Sequence, residues 1–365
     1  MKYLVGFSRI LVGVLFAFSG FVRLNDPIGF SYKLQEYFGE GVLNLEFLVP
    51  YALVIAVFIV IYELLLGVTL LIGYAPKFTK WSLLLMIIFF TFLTFYSAYF
   101  DKVTDCGCFG DAIPLTPWQS FGKDVILFVL ILILFLNDRY LKPLFSKTSL
   151  KWVVFATTTA CLYFAYHVLM HLPAIDFRAY SKGTNIPEAM SFPDDAQKPI
   201  YEYQWTFEEN GILKIHTTSG NYPNVPGEFI AVTTELITEG YLPPIHDFLV
   251  MKDGEDFTES LMQEDKLLII VAYNLSKTEL KGWTKMKSAL SKAKKENYNI
   301  IGLTASGDSA ISKFKSKYAL DFDFYFADET AIKTIIRASP GIITIEKGTI
   351  VNKIHWNDAD DFQNF

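Results

Sequence analysis

Two cysteines separated by one glycine are the side chains whose types and spacing most directly suggest chemistry in this sequence. The chain has three cysteines, and two of them, Cys106 and Cys108, flank Gly107. A disulfide across a single residue closes a small ring, and strained disulfides are more oxidising than relaxed ones. Gly107 has no Cβ, so its backbone can adopt the conformation that such a ring needs. The spacing therefore predicts a redox pair that cycles between dithiol and disulfide.

Two other interpretations of Cys106 and Cys108 stay open. The pair could be an inert structural disulfide, or two reduced thiols in a tight turn. It could also bind a metal ion, because His167 and His171 lie four residues apart and share one face of a predicted helix. Two thiolates and two imidazoles suit tetrahedral zinc, or copper(I) as a soft ion. The third cysteine, Cys161, is expected to be a small buried hydrophobe.

The elements that must position these residues are predicted to be membrane helices. The 365-residue chain is 52% hydrophobic and 19% charged, which is too apolar for an ordinary soluble protein. Crossing a bilayer takes about 20 mostly apolar residues, and five stretches qualify or nearly qualify. They are Tyr3–Val22, Phe47–Tyr74, Trp81–Phe100, Phe121–Leu136 and Trp152–Leu172. The first could be a cleaved signal peptide, but its length and the later spans favour a membrane helix.

Lysine and arginine in the short loops predict how these spans are oriented. The second loop carries Lys77 and Lys80, and the fourth carries Arg139 with three lysines, whereas the first and third loops are mixed in charge. Because basic loops stay in the cytoplasm, the N-terminus is predicted to be cytoplasmic. We therefore expect an inner-membrane protein, embedded in the lipid bilayer, whose cysteine loop and C-terminal half share the periplasm. A net charge of −6 gives no indication of a nucleic-acid partner.

Arg9 and Glu63 are charged residues inside the first two predicted spans, where charges are costly and are functional candidates. Counting 1.5 Å per residue from the cytoplasmic ends puts Arg9 about 9 Å deep and Glu63 about 16 Å deep. Two long side chains can close that gap, so an Arg9–Glu63 ion pair is predicted, either structural or catalytic. Alternatively, Arg9 reaches the cytoplasmic surface and leaves Glu63 for a proton-transfer or ligand role.

Short motifs in the first three loops and spans resemble known membrane families. The motifs that resemble the DoxX family are Arg9-Ile10-Leu11-Val12-Gly13, Phe18-Ser19-Gly20-Phe21, Asp26-Pro27, and Glu63 with Leu66-Gly67 and Leu71-Ile72-Gly73. The string Cys106-Gly107-Cys108-Phe109-Gly110 is similar to the related MauE (methylamine utilisation) proteins. The resemblance covers positions 1–145 and implies a four-helix bundle linked to redox maturation, since MauE proteins are associated with forming a disulfide-rich enzyme subunit. DoxX proteins are associated with quinone-coupled oxidation, which implies a quinone as cofactor.

The C-terminal half has the pattern of a soluble α/β region. Positions 200–235 are β-rich, with alternating aromatic residues from Tyr201 to Phe207, and 241–248 is predicted to be an extended strand. A buried strand follows at Leu267–Ala272, and Ser276 with Glu279 forms a capping box that opens a long helix. Further elements are expected at 300–303, 308–318, 329–337 and, as a hairpin, 342–355.

This order of elements resembles the thioredoxin fold, and Pro340 falls where that fold carries its cis-proline. The position of the Cys-x-x-Cys motif reads Asn274-Leu275-Ser276-Lys277, and no cysteine follows Cys161. The domain is therefore expected to bind a partner or to cover the cysteine loop, rather than to exchange disulfides. Lysines along the long helix are interpreted as a solvated face, with an acidic partner as the alternative.

The predicted fold class is thus a membrane all-α region followed by a soluble thioredoxin-like α/β domain without its Cys-x-x-Cys. The expected boundaries are 1–145 for the four-helix bundle, 146–173 for a fifth transmembrane helix, 174–245 for a β-rich connector and 246–365 for the thioredoxin-like domain. The expected function is redox maturation of cell-envelope proteins through Cys106 and Cys108. The alternative is a non-catalytic membrane scaffold whose external domain binds an envelope protein.

Reporter fusions test the predicted orientation. Fusions after Pro76 and Ser146 should fluoresce with a cytoplasmic reporter, and fusions after Gly110 and Phe192 should be active with an exported phosphatase. The reason is that five spans starting in the cytoplasm alternate the loops between the two compartments. Phosphatase activity at Ser146 would contradict the arrangement and separate the C-terminal half from the cysteine loop.

Overall fold

The first half of the protein is a bundle of helices, seen in a computed structural model. The structure describes residues 1–100, 107, 109–193, 195–197, 200–209, 212–238 and 240–363. Cys106 and Cys108 lie outside the described residues. Within the described part, five helices are long and apolar enough to cross a membrane, which confirms the five predicted spans. They are α1 (Lys2–Asn25), α3 (Ala52–Ile72, preceded by a 3-10 segment, Glu46–Tyr51), α4 (Pro76–Phe100), α5 (Pro117–Leu136) and α6 (Lys147–Met170).

A shorter helix, α2 (Pro27–Phe38), was not predicted and lies where a plain loop was expected. Asp26 caps it, because its Oδ1 accepts a hydrogen bond from the backbone N–H of Gly29 at 2.9 Å, and Pro27 occupies the first helical turn. Its apolar side packs mainly on α3. The helix forms one end of the bundle together with the end of α1; we call this the loop end.

The closest helix pair in the bundle is α1 and α3, which run antiparallel. A Cβ on Gly67 would lie 2.5 Å from the backbone N of Ala17 and 2.7 Å from the carbonyl O of Gly13. A Cβ on Gly20 would lie 2.7 Å from the backbone N of Leu64. Small residues therefore let the two backbones touch, as is common between membrane helices. This contact places Gly20 level with Leu64.

A connector region with a three-stranded antiparallel sheet follows the bundle. Its elements are α7 (Ile186–Met190), β1 (Ile200–Glu209), β2 (Ile212–Thr218) and β3 (Glu228–Thr238), in the spatial order β2-β1-β3. The predicted alternation along β1 is confirmed, since Tyr203 stacks on Trp205 and the ring of Phe207 contacts Phe229 of β3 on the same face. The segment 241–248 has no strand, so the extended strand predicted there was wrong. Ile245 and Phe248 instead anchor it in the core below.

The last region is a seven-stranded mixed sheet with helices on both faces. Its strands are β4 (Met251–Lys252), β5 (Glu255–Asp256), β6 (Leu267–Val271), β7 (Asn299–Thr304), β8 (Asp323–Phe326), β9 (Gly341–Glu346) and β10 (Thr349–His355), in the order β10-β9-β6-β7-β8-β4-β5. Its helices are α8 (Thr258–Met262), α9 (Leu280–Lys295), α10 (Asp308–Tyr318), α11 (Glu329–Ile335) and a 3-10 segment, Trp356–Gln363. Strand β6 is parallel to β7, as β7 is to β8, whereas β9 is antiparallel to β6 and β10. Alternate residues of β6 enter two separate cores, so this region has three layers.

Two local predictions here have different outcomes. The long helix α9 begins at Leu280, and Ser276 gives its hydroxyl hydrogen bond to Asn274 Oδ1 at 2.6 Å, so the predicted capping box with Glu279 was wrong. An Asx-type turn has taken the place of the first helical turn. The Ser339–Pro340 peptide bond is cis, in agreement with the predicted cis-proline.

A buried lysine ties the connector to the last strand. Lys353 Nζ on β10 donates hydrogen bonds to Asp176 Oδ2 at 2.6 Å and to the carbonyl O of Tyr180 at 2.9 Å. Arg178 Nε donates to the same carboxylate at 2.6 Å, so two cations share one acid. Burial first, and Arg178 next, lower the pKa of Lys353 to about 7.

The stability of the C-terminal half should therefore depend on pH through Lys353. Between pH 7 and 10.5 the unfolded chain holds a proton that the folded chain has released, so the free energy of unfolding rises with pH in this window. This lysine alone contributes up to about 1.4 kcal/mol per pH unit. Denaturation in mild detergent at several pH values should show the rise in wild type and in the exposed control Lys347→Met. Lys353→Met should lose that increment; an unchanged slope would contradict the assignment.

Candidate functional site at the loop end

The cysteine loop is joined to the bundle through the described residues beside it. Gly107 is buried, with a φ of 61° in the left-handed region that favours glycine. Phe109 is also buried, and its ring centroid lies 5.8 Å from that of Phe18 on α1. A Cβ on Gly110 would make ordinary contact with Val22, at 3.6 Å. The chain on the C-terminal side of the cysteines is therefore seated on the end of α1.

A buried ion pair between α1 and α3 lines the same cavity as Phe109. Arg23 Nη2 donates to Glu63 Oε2 and, at 2.9 Å, to Ser19 Oγ. The two side chains are 5% and 4% exposed, so the pair is fully withdrawn from solvent. The guanidinium also lies 4.8 Å from the ring centroid of Phe30 and 5.2 Å from that of Phe90. Phe30 belongs to α2 and Phe90 to α4, so four helices enclose this arginine.

The predicted Arg9–Glu63 pair was wrong. Arg9 lies at the opposite end, where it donates to the carbonyls of Leu70, Leu71 and Lys142, each at 2.9 Å. It thus satisfies carbonyls at the C-terminal end of α3, which have no partner within their own helix. Because Gly20 is level with Leu64, Arg9 is about 16 Å along α1 from the height of Glu63. The depth count failed because α1 and α3 are offset along their axes, so that Gly20 and not Arg9 is level with the Glu63 region.

A second acidic side chain stands near the first pair. Asp124 on α5 is buried, accepts a hydrogen bond from Thr94 at 3.1 Å, and has Lys123 Nζ at 2.5 Å from its Oδ1. These side chains, Arg23 and Glu63 line a cavity of about 40 Å³ whose other walls are mainly phenylalanine and leucine. In the described part of the chain, Arg23 Nε has no hydrogen-bond partner. A buried donor without a partner is costly, so this cavity offers a place for an oxygen acceptor.

Arg337 of the C-terminal half contacts two segments at the loop end. It follows α11 and its side chain is 7% exposed; Nε donates to Asp26 Oδ2 at 2.8 Å, and Nη2 donates to Asp111 Oδ2 at 3.3 Å. A Cβ on Gly29 would lie 2.7 Å from Arg337 Nη2, so the absence of a side chain there makes room for the guanidinium. Burial opposes the charge, but Asp26 and Asp111 outweigh it and raise the pKa of Arg337. The arginine is permanently charged and connects three separate segments.

A larger cavity of about 400 Å³ lies between the bundle and the C-terminal half. Its volume is within the range of small-molecule sites, which often form between domains. Its walls include Arg23, Tyr32, Lys33, Gly107, Lys333 and Arg337. The cavity is therefore a space through which a molecule can approach Gly107 from one side and Arg23 from the other.

The two histidines of the metal interpretation lie elsewhere at this end. The His167 and His171 ring centroids are 4.7 Å apart, and His171 Nδ1 lies 2.6 Å from Asp358 Oδ1. Burial and His171 lower the pKa of the nearby His355 to about 4, so it is neutral at physiological pH. Within the described ranges, no group of three or more His, Cys, Asp or Glu side chains could hold a metal ion. Cys161 is buried, as predicted.

Several residues of this site were not predicted from the sequence. Arg23 was treated as a loop residue because the apolar run stops at Val22, whereas α1 continues to Asn25. The Asp26-Pro27 pair was a signal for α2, since Asp at a helix cap followed by Pro in the first turn is a common helix start. The contact of Arg337 with Asp26 had no local signal.

Comparison with known proteins supports the membrane half. Residues 1–137 match the family model of methylamine utilisation protein MauE. The matched region contains α1 to α5 and the cysteine loop. No curated protein matches the chain. Together with the five spans, the match supports a multi-pass membrane protein whose N-terminal region is similar to MauE.

A double-mutant cycle tests the Arg23–Glu63 pair. Glu63→Leu or Arg23→Met alone should destabilise the bundle by about 3–5 kcal/mol, because each leaves a buried charge without its partner. The two changes together should recover much of that loss. Thermal unfolding in detergent measures all three variants.

The matched control is the cycle of Arg9→Met with Glu63→Leu. These residues do not touch, so their effects should add. Additive effects for Arg23 and Glu63, or strong coupling between Arg9 and Glu63, would contradict the observed pairing.

Proposed function

We propose that this protein is an inner-membrane thiol–disulfide oxidoreductase that acts on cell-envelope proteins through Cys106 and Cys108. The observation that carries the proposal is the seat of the cysteine loop. Phe109 shares a small cavity with the enclosed Arg23–Glu63 pair, and Gly107 lines the larger cavity, which can admit another molecule. The match of this region to MauE supports the same role.

The reaction has two balanced steps. A disulfide between Cys106 and Cys108 takes two electrons and two protons from two thiols of the partner, which leaves the partner oxidised and the pair reduced. A quinone then takes two electrons and two protons from the reduced pair, becomes a quinol and restores the disulfide. The partner supplies its own cysteines, because no cysteine follows Cys161 in the chain.

Arg23 supports the quinone as electron acceptor. It lines both the small and the large cavity, and its Nε is free to donate to an acceptor such as a quinone carbonyl. Phe30, Tyr32 and Phe177 in the wall of the larger cavity suit a flat, lipid-soluble molecule. Arg23 lies at the end of a candidate membrane span, where such a molecule can arrive from the bilayer. Zinc or copper at the cysteines is the alternative; Asp358 contacts only Nδ1 of His171, which leaves Nε2 as its candidate ligand atom.

The C-terminal half is interpreted as a thioredoxin-like domain that has no thiols. Three parallel strands, a terminal antiparallel hairpin and a cis-proline before β9 support this. Helix α2, Asp111 and this domain all meet at the loop end, so they share one side of the membrane. The charge of the short loops supports the periplasm as that side.

A scaffold that binds an envelope protein is the second candidate function. It is favoured by the aromatic face of the three-stranded sheet, where Tyr222, Phe229 and Leu236 are exposed. Exposed apolar faces of this kind often bind other proteins. This role needs no chemistry at Cys106 and Cys108.

Substitution of the cysteines distinguishes the two candidate functions. Either Cys106→Ser or Cys108→Ser should abolish maturation of the partner, and one of them should accumulate a mixed disulfide with it, because the resolving thiol is missing. Maleimide trapping at lysis should show a mixture of oxidised and reduced loop in wild type. A loop that is always oxidised, together with a fully functional double variant, would leave the scaffold as the function.

A further inference from the structure

One buried arginine of the C-terminal half contacts the chain that follows the cysteines. Arg337 bonds Asp111, three residues after Cys108, and Asp26, at the junction of α1 and α2. Its Nη1 also donates to the carbonyl of Lys333, which fixes the guanidinium against its own domain. One side chain thereby connects the loop, the bundle and the C-terminal half.

We propose that Arg337 is a positioning residue for the cysteine pair, so that a domain without thiols takes part in the thiol chemistry. The inference rests on the proposed function, but the effect of Arg337 on the reactivity of the cysteines can be measured whether or not that function is right. An arginine offers a planar fork that can hold two carboxylates at once, and lysine cannot reproduce that geometry. Asp26 belongs to the rigid bundle, so Arg337 transmits its position to Asp111 and to the chain that carries the cysteines.

The surroundings of Arg337 are arranged for this contact. Gly29 leaves the space beside the guanidinium, and Tyr32 on α2 faces both Arg337 and Lys333, with distances of 5.7 and 4.8 Å from its ring centroid. Lys333 is itself paired with Glu329, within α11. Asp26 and Asp111 are therefore paired with Arg337 and not with Lys333.

A buried position gives the contact its strength. An exposed ion pair contributes little and is screened by salt, but the Arg337 side chain is 7% exposed and Asp26 is 18% exposed, whereas Asp111 is 41% exposed. Removal of the Asp111 carboxylate breaks the link between Arg337 and the loop while Asp26 still pairs with the arginine. The loop and the docking of the domain can therefore be perturbed separately.

The test measures the reactivity of the reduced cysteines in the full-length protein in detergent. Arg337→Gln and Asp111→Asn should each increase the rate of alkylation by a bulky maleimide several-fold and shift the redox potential of the pair, because the loop is no longer held. Arg337→Lys should restore only part of the wild-type rate, since it keeps the charge and loses the fork. Lys313→Gln, on the exposed side of α10 and outside the walls of both cavities, is the matched control and should behave as wild type.

A second variant covers the case in which Arg337→Gln disturbs folding. Gly29→Ala leaves every charge in place, but its Cβ would lie 2.5 Å from Asp26 Oδ2 and 2.7 Å from Arg337 Nη2. It should therefore disturb the Asp26–Arg337 contact and reproduce the faster alkylation. Wild-type alkylation rates and potentials in folded Asp111→Asn and Gly29→Ala would overturn the positioning role. A functional double cysteine variant would overturn the proposed function instead, whatever the alkylation rates show.

Discussion

A charge inside a membrane bundle has to be paired, and the pairing of Arg23 with Glu63 is the constraint around which the membrane half is built. Two such groups can meet only if α1 and α3 approach closely and in one register. Gly13, Gly20 and Gly67 permit that approach because their backbones touch the neighbouring helix. The remaining faces of the arginine are then covered by Phe30 and Phe90, from two further helices. A single desolvated pair thus sets the relative positions of four helices.

Hydrogen bonds and ion pairs also form the contact between the two halves. The interface at the loop end is mostly polar: Asn25 exchanges two hydrogen bonds with the backbone of Ile175, His171 bonds Asp358, and Arg337 bonds Asp26 and Asp111. Polar interfaces of this kind are typical of domains that move relative to each other. The cavity beside Gly107 lies within this interface, so the site and the contact between the halves are one structure.

The parts that were predictable are those encoded by local pattern. Long apolar runs identified the five spans, and alternating aromatic residues identified β1, because burial imposes those periods on the sequence. Glu63 was recognised as unusual from its position alone. Its partner was not, since the choice between Arg9 and Arg23 depends on how far α1 slides along α3, and hydropathy does not encode that offset.

Two other features were missed because they too depend on contacts that the local sequence pattern does not encode. Ser276 and Glu279 have the spacing of a capping box, yet Asn274 competes for the serine hydroxyl and delays the start of α9. The contact between Arg337 and Asp26 joins residues more than 300 positions apart. Only the folded arrangement brings them together, so no local pattern in the sequence could reveal this part of the site.

The short path between α6 and the C-terminal half has a consequence for how strong that contact must be. Helix α6 ends at Met170, and the chain is already bonded to Asn25 of the bundle at Ile175. Because this linker is so short, the domain stays at a high local concentration beside the loop end of the bundle, on the order of millimolar for short flexible linkers. A handful of polar bonds that would be too weak to join two free proteins is then enough to keep Arg337 in contact with Asp26 and Asp111.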